Sequence, residues 1–151
     1  FAREHIWRAE FMSVIEKLIR FHKFDLDEKR RVLRDLEEQE ARVQQAIDSL
    51  DQEIQSEQSF SRGQADFAPY YGGYASRSKS RREALEGELA KAHEQVEAAR
   101  EIVTQAFEEL KKYEITKDQQ DHREYLEQER QNQIELDEVA LTAHQRKGSV
   151  S

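Results

Sequence analysis

The chain has no cysteine, a single proline and only five glycines among its 151 residues. Without thiols there is neither a disulfide nor a thiolate metal site, and a reducing compartment is compatible. No apolar run approaches the eighteen or so residues needed to span a bilayer, and no secretory pattern of charged, apolar and cleavable regions opens the chain. Apolar material is scarce overall: 36% of residues are hydrophobic against 37% charged, with a mean hydropathy of −1.01. That is too little to fill a wide core, although a narrow seam can still be buried. The net charge of −8 opposes general affinity for nucleic acid or anionic lipid, because phosphate binding needs local positive potential. A soluble, cytoplasmic protein is expected.

Motifs that carry chemistry are missing too. There is no P-loop, GxSxG, HExxH or EF-hand loop, and Asp25 to Glu28 lacks the glycine and spacing of a calcium site. No two of His5, His22, His93, His122 and His144 lie three or four residues apart, so no metal or other cofactor is expected. The abundant carboxylates read as a solvated face and not as a buried acid and base. No catalytic residue is assigned.

What is present is order in the few hydrophobes. Ile15, Ile19, His22, Leu26, Lys29, Leu33, Leu36, Glu40, Val43, Ile47, Leu50 and Ile54 fall alternately four and three apart, and nine of these twelve are apolar. A 3.5-residue repeat over five heptads meets the coiled-coil criterion and argues against disorder. Leu85, Leu89, Ala92, Val96, Ala99, Val103, Ala106, Leu110 and Tyr113 form a second seam, in which alanine recurs every seven residues. Small side chains at one seam position allow the helices to approach closely. Between the seams, residues 59–80 hold Pro69, three of the five glycines and a cluster of aromatics, and read as a hairpin tip. The expected fold is therefore all-α: a long two-helix antiparallel coiled-coil hairpin, intramolecular and monomeric.

Boundaries follow from local signals. Ser13 and Glu16 form an S-x-x-E capping box, so helix 1 is expected over about 13–58. Residues 1–12 are then an extension, either an upstream start or a cloning remnant. Ser80 and Glu83 form a second capping box, which would start helix 2 near 80 and carry it to about 144, with 148–151 as a disordered tail. Tyr71, Ala75, Ser78 and Arg82 continue the seam backwards, however, so a start anywhere between 69 and 81 stays open. Beyond Tyr113 the seam is expected to weaken and shift phase to Ile115, Leu126, Leu136, Ala140 and Ala143, leaving an overhanging end of helix 2. Polar Lys29 and Glu40 interrupt the first seam, where such residues fix register at a cost in stability, and His22 also occupies a seam position, either setting register or, as is favoured, sitting near a frayed end. Arg77, Lys79, Arg81 and Arg82 beside Tyr70, Tyr71 and Tyr74 resemble a nucleic-acid patch, but the acidic chain favours a structural role, and no nucleic-acid partner is expected.

The segment Leu18 to Lys23, followed by Leu26 to Leu33 with its Asp27-Glu28-Lys29-Arg30-Arg31 block, resembles the start of the flagellar FliJ family. Leu110 to Glu114, Glu135 to Glu138 and the basic end His144 to Lys147 agree in order, and the likeness covers nearly the whole chain from Met12. This resemblance implies an antiparallel coiled coil similar to the central stalk of rotary ATPases, inserting into the ring of the flagellar type III export ATPase. It further implies contact with the export gate protein at the inner membrane and with export chaperones. The start of helix 1 and the end of helix 2 would then enter the ring, with Lys23, Arg30, Arg31, Arg123 and Arg130 as candidate contacts. A coiled-coil scaffold or spacer unrelated to export is the alternative that the seam alone supports.

Overall fold

Two heptad seams joined by a short break leave few ways to bury apolar surface, and the simplest is for the chain to fold back on itself. The computed structural model, which describes residues 2–64, 66 and 68–150, shows this all-α helical hairpin. Helix α1 spans Ala2–Gly63 and helix α2 spans Ala68–Ser149. The chain falls into two compact units, Phe1–Lys23 with Glu108–Ser151, and Phe24–Phe107.

In the unit of residues 24–107, Leu26, Ile47 and Leu50 of α1 are buried with Ala92, Val96, Ala99 and Ala106 of α2. Val96 is fully enclosed. Leu33, Leu36, Val43 and Ile54 are half-buried beside them, as are the polar seam positions Lys29 and Glu40. The pairing is antiparallel, since ion pairs link Glu37 to Arg100 and Asp51 to Arg82, and the Glu40 carboxyl lies 2.9 Å from the His93 ring between them. In the unit of residues 1–23 and 108–151, Ile15 and Leu110 are buried, and the His22 ring stacks on Tyr113 at 4.8 Å. Glu16 to Lys117 and Arg8 to Glu127 continue the antiparallel order. All twelve α1 positions and all nine α2 positions of the two sequence seams are buried or half-buried. Each large apolar side chain that is fully buried among them, such as Leu26 or Val96, contributes about 1.5–3 kcal/mol, and the half-buried ones correspondingly less.

The helix ends depart from the local signals. Ser13 lies inside α1, which begins at Ala2, so it does not start the helix. An S-x-x-E pattern arises readily in a Glu-rich chain, and it starts a helix only where the preceding residues cannot continue one; Ala2 to Met12 can. Residues 2–12 are thus helical, and Arg8 and Met12 are half-buried on α2. Ser80 is likewise interior, because α2 begins at Ala68, with Pro69 in the first turn where its missing N–H costs nothing. The heptad phase through Tyr71, Ala75, Ser78 and Arg82 prevails over the poor helix propensity of Gly72 and Gly73: Ser78 is buried and the other three are half-buried. Only four residues separate the helices, where a tip of 59–80 was expected. Gly148 and Ser149 of the expected tail are helical. Phe1 of the expected extension, Ala65 and Phe67 of the expected tip, and Ser151 of the expected tail lie outside the described residues.

The α2 seam does not shift phase after Tyr113. It runs on through half-buried Lys117, Gln120 and Glu124, whereas Ile115, Leu126 and Leu136 are exposed. From Tyr125 onward every described residue of α2 is exposed.

Candidate partner-binding surface

A pair of helices buries one stripe of each and shows the rest to water, so any partner must be met by outward side chains. The five cations singled out in the sequence are all exposed. Lys23, Arg123 and Arg130 belong to the unit of residues 1–23 and 108–151. Arg123 and Arg130 stand seven residues apart on one side of α2, and Lys23 lies near Glu114, whose carboxyl is held below its ordinary range mainly by the Lys111 ammonium at 2.8 Å, with a smaller pull from Lys23. Arg30 and Arg31 belong to the other unit, on α1, where they reach back one turn to Asp27 at 3.9 Å and Glu28 at 3.1 Å. Such exposed pairs within one helix contribute a few tenths of a kcal/mol at most, so these guanidinium groups stay available to a partner.

Sequence reasoning missed the grooves at the start of α1. Arg8 donates to Glu127 at 3.0 Å, and this ion pair keeps the guanidinium pKa above its ordinary value. On one side of the pair a groove of about 700 Å³ is lined by Trp7, Phe11, Arg3, Gln120 and Arg123. Trp7 and Phe11 stack there at 5.7 Å with planes 4° apart. A second groove of about 660 Å³ lies along His5, Ala9, Met12, Gln128 and Gln131. Arg123 is the one candidate cation that lines either groove.

A model of the flagellar FliJ protein family matches residues 12–149. The chain belongs to the FliJ family. That membership makes it a component of flagellar protein export, in a family of non-catalytic components. Comparison with curated proteins and with solved structures finds no match. The FliJ match takes in Lys23, Arg30, Arg31, Arg123 and Arg130 and starts at Met12, within a helix that runs unbroken from Ala2.

In the unit of residues 24–107 of this FliJ chain, a groove of about 540 Å³ gathers Glu37, Glu40 and Glu86 beside Leu89 and His93. Glu40 sits 2.9 Å from the His93 ring, and Glu37 is held at 3.3 Å by Arg100. Toward the tip, the Arg82 guanidinium makes two hydrogen bonds to Asp51, at 2.7 and 3.1 Å, which hold that carboxyl below its ordinary value, and it also reaches Glu86. Burial pushes the Tyr74 phenol up beside Ser78. Of the basic tip, Arg82 is therefore spent on structure, which removes one cation from any polyanion patch. Among the described residues no group of His, Asp or Glu is arranged to hold a metal ion, and no helix is long and apolar enough to cross a membrane.

Proposed function

We propose that this FliJ-family chain is a central-stalk-like adaptor of the flagellar export apparatus that binds the ring of the export ATPase, with the export gate and export chaperones as further partners. The observation that carries the reading is the family match over 138 of the chain's residues, 12–149, on a two-helix hairpin. The start of α1 and the end of α2 meet the ATPase, with Lys23, Arg123 and Arg130 facing acidic groups of the ring, and Arg30 and Arg31 supply a second contact. The work done is mechanical and allosteric: a stiff helical pair that binds several ring subunits stabilises the assembled ring and shifts nucleotide affinity by the same coupling energy. Under this reading the protein acts in the cytoplasm at the flagellar base and reaches the inner membrane only through its partners.

The test is to mix the purified chain with the cognate export ATPase and follow turnover and ring formation. Both should rise, and an Arg30→Glu, Arg31→Glu variant of unchanged helicity should lose the effect. An active ATPase indifferent to the wild-type chain would sink the reading. Full activity of the charge-reversed variant would instead remove Arg30 and Arg31 from the contact and favour a scaffold that depends on the seam alone.

A further inference from the structure

The seam toward α2 does not exhaust the heptad order of α1. Trp7, Phe11, Val14, Leu18 and Phe21 also fall four and three residues apart. At 100° per residue this stripe lies roughly 90° around the helix from Arg8, Ile15 and His22, which face α2. It adjoins the α2-facing seam along one edge, where Leu18 is half-buried and Trp7 and Phe11 line the groove shared with Gln120 and Arg123, and turns its other edge outward. Trp7 is 67% exposed, Phe21 61%, Val14 54% and Phe11 38%, while Leu18 is half-buried. Aromatic and aliphatic side chains in strict 4-3 spacing fit another helix lying alongside, since knobs enter holes at that repeat.

We propose that this stripe pairs two copies of the chain, α1 against α1, in antiparallel register. Charge selects the occupant. Glu10 and Lys17 occupy the same flanking position of successive heptads on the outer edge of the stripe, both exposed, and among the described residues neither is in an ion pair. In an antiparallel pair this edge of one copy runs beside the same edge of the other. With Phe11 opposite Val14 and Trp7 opposite Leu18, Glu10 of each copy meets Lys17 of its mate, so one two-fold axis satisfies both charges twice. Sliding the register by one heptad toward Phe21 sets Lys17 against Lys17 and is repelled. Parallel pairing brings the flank against the edge already given to α2, where Glu10 and Lys17 find nothing. Large side chains also meet smaller ones in the favoured register, as interdigitation requires.

The apolar surface withdrawn by both copies together is on the order of 1,000 Å², the lower end for a specific interface. The dimer is accordingly weak, forming in the micromolar range and dissociating on dilution. It needs no export component, so it stands or falls apart from the adaptor role.

The experiment uses the full chain. Sedimentation equilibrium should show a monomer passing to a dimer as concentration rises, and the fluorescence of Trp7, the only tryptophan, should shift to the blue over the same range. Val14→Glu should keep the helical spectrum and melting profile while remaining monomeric. Glu10→Lys and Lys17→Glu should each weaken the dimer at least tenfold, and the doubly reversed chain should recover it. Because the protein has no cysteine, mixing Glu10→Cys with Lys17→Cys should yield a disulfide-linked heterodimer in preference to either homodimer. A chain that stays monomeric into the high micromolar range overturns the proposal. So does a dimer indifferent to Val14→Glu, or one in which the double reversal is no better than the singles.

Discussion

Leu26 and Phe24 are two residues apart on α1, and their roles are opposite to what their sizes suggest. Leu26 is 3% exposed and Phe24 66% exposed. Truncating Leu26 to alanine removes three buried carbons and leaves a gap on the seam, a change that costs about 2–5 kcal/mol in packed cores. A two-helix seam is narrow and its neighbours collapse easily, which places the cost near the lower end, roughly 2–3 kcal/mol on that scale. For a chain of this length each kcal/mol lowers the melting temperature by about 2–4 °C, so Leu26→Ala should melt roughly 5–10 °C below wild type. Phe24→Ala removes a larger side chain from water and should change stability by no more than about 0.5 kcal/mol. Far-UV circular dichroism melts of the two variants, with urea titrations to confirm an unchanged m-value, make the comparison. Equal losses at both positions would refute the assignment of the seam, and with it the pairing of α1 and α2 in the unit of residues 24–107.

Gly72 and Gly87 lie inside α2, and a methyl group added at either meets nothing within 4 Å, so Gly72→Ala and Gly87→Ala should each stabilise the chain by about 1 kcal/mol in the same melts. Ser80→Ala and Ser13→Ala should stay within about 0.5 kcal/mol of wild type, because both serines are interior; a loss near 1 kcal/mol at either, the usual cost of an uncapped helix, would move the helix start there. Arg82 holds the Asp51 carboxyl below its ordinary value, so this pair contributes stability above the ordinary carboxylate pKa and loses it as pH falls through the lowered folded value. Asp51→Asn should therefore melt below wild type at neutral pH, with the gap closing below about pH 4; a gap that persists in strong acid would assign the loss to packing.

The seams were legible because a coiled coil has one strong requirement, an apolar residue every 3.5, and few other solutions satisfy it. Even the polar interruptions obey it: His22, Lys29 and Glu40 are half-buried at seam positions, and His22 is satisfied by stacking on Tyr113. The ends were harder to place because they depend on weak local terms. A capping box is worth about 1 kcal/mol, less than the packing gained by continuing a helix whose next residues face a partner. Ser13 and Ser80 both lose that contest. After Tyr113 the eye follows apolar letters to Ile115 and Leu126, whereas the structure follows spacing to half-buried Lys117, Gln120 and Glu124, residue types whose long stems can pack on a seam, with Lys117 pairing with Glu16 across it. The five candidate cations were legible only through the family resemblance; nothing in their spacing separates them from other surface charges.

The same spacing argument reads the start of α1 differently once it is applied to more than one face. Searching for a single seam assigns Ile15, Ile19 and His22 and leaves Trp7, Phe11, Val14, Leu18 and Phe21 as scattered hydrophobes. Scattered hydrophobes on a helix should occupy all directions, yet these five hold one phase over two full heptads. A hairpin already has its partner in α2, and of this stripe only Leu18 is half-buried, so most of the second ordered face is left to water within the chain. Where composition is as polar as it is here, 36% hydrophobic, apolar residues kept in register outside the seam mark a surface that costs solubility unless another helix covers it. Glu10 and Lys17, placed on its rim with opposite signs one heptad apart, specify a helix of reversed direction carrying the same two charges.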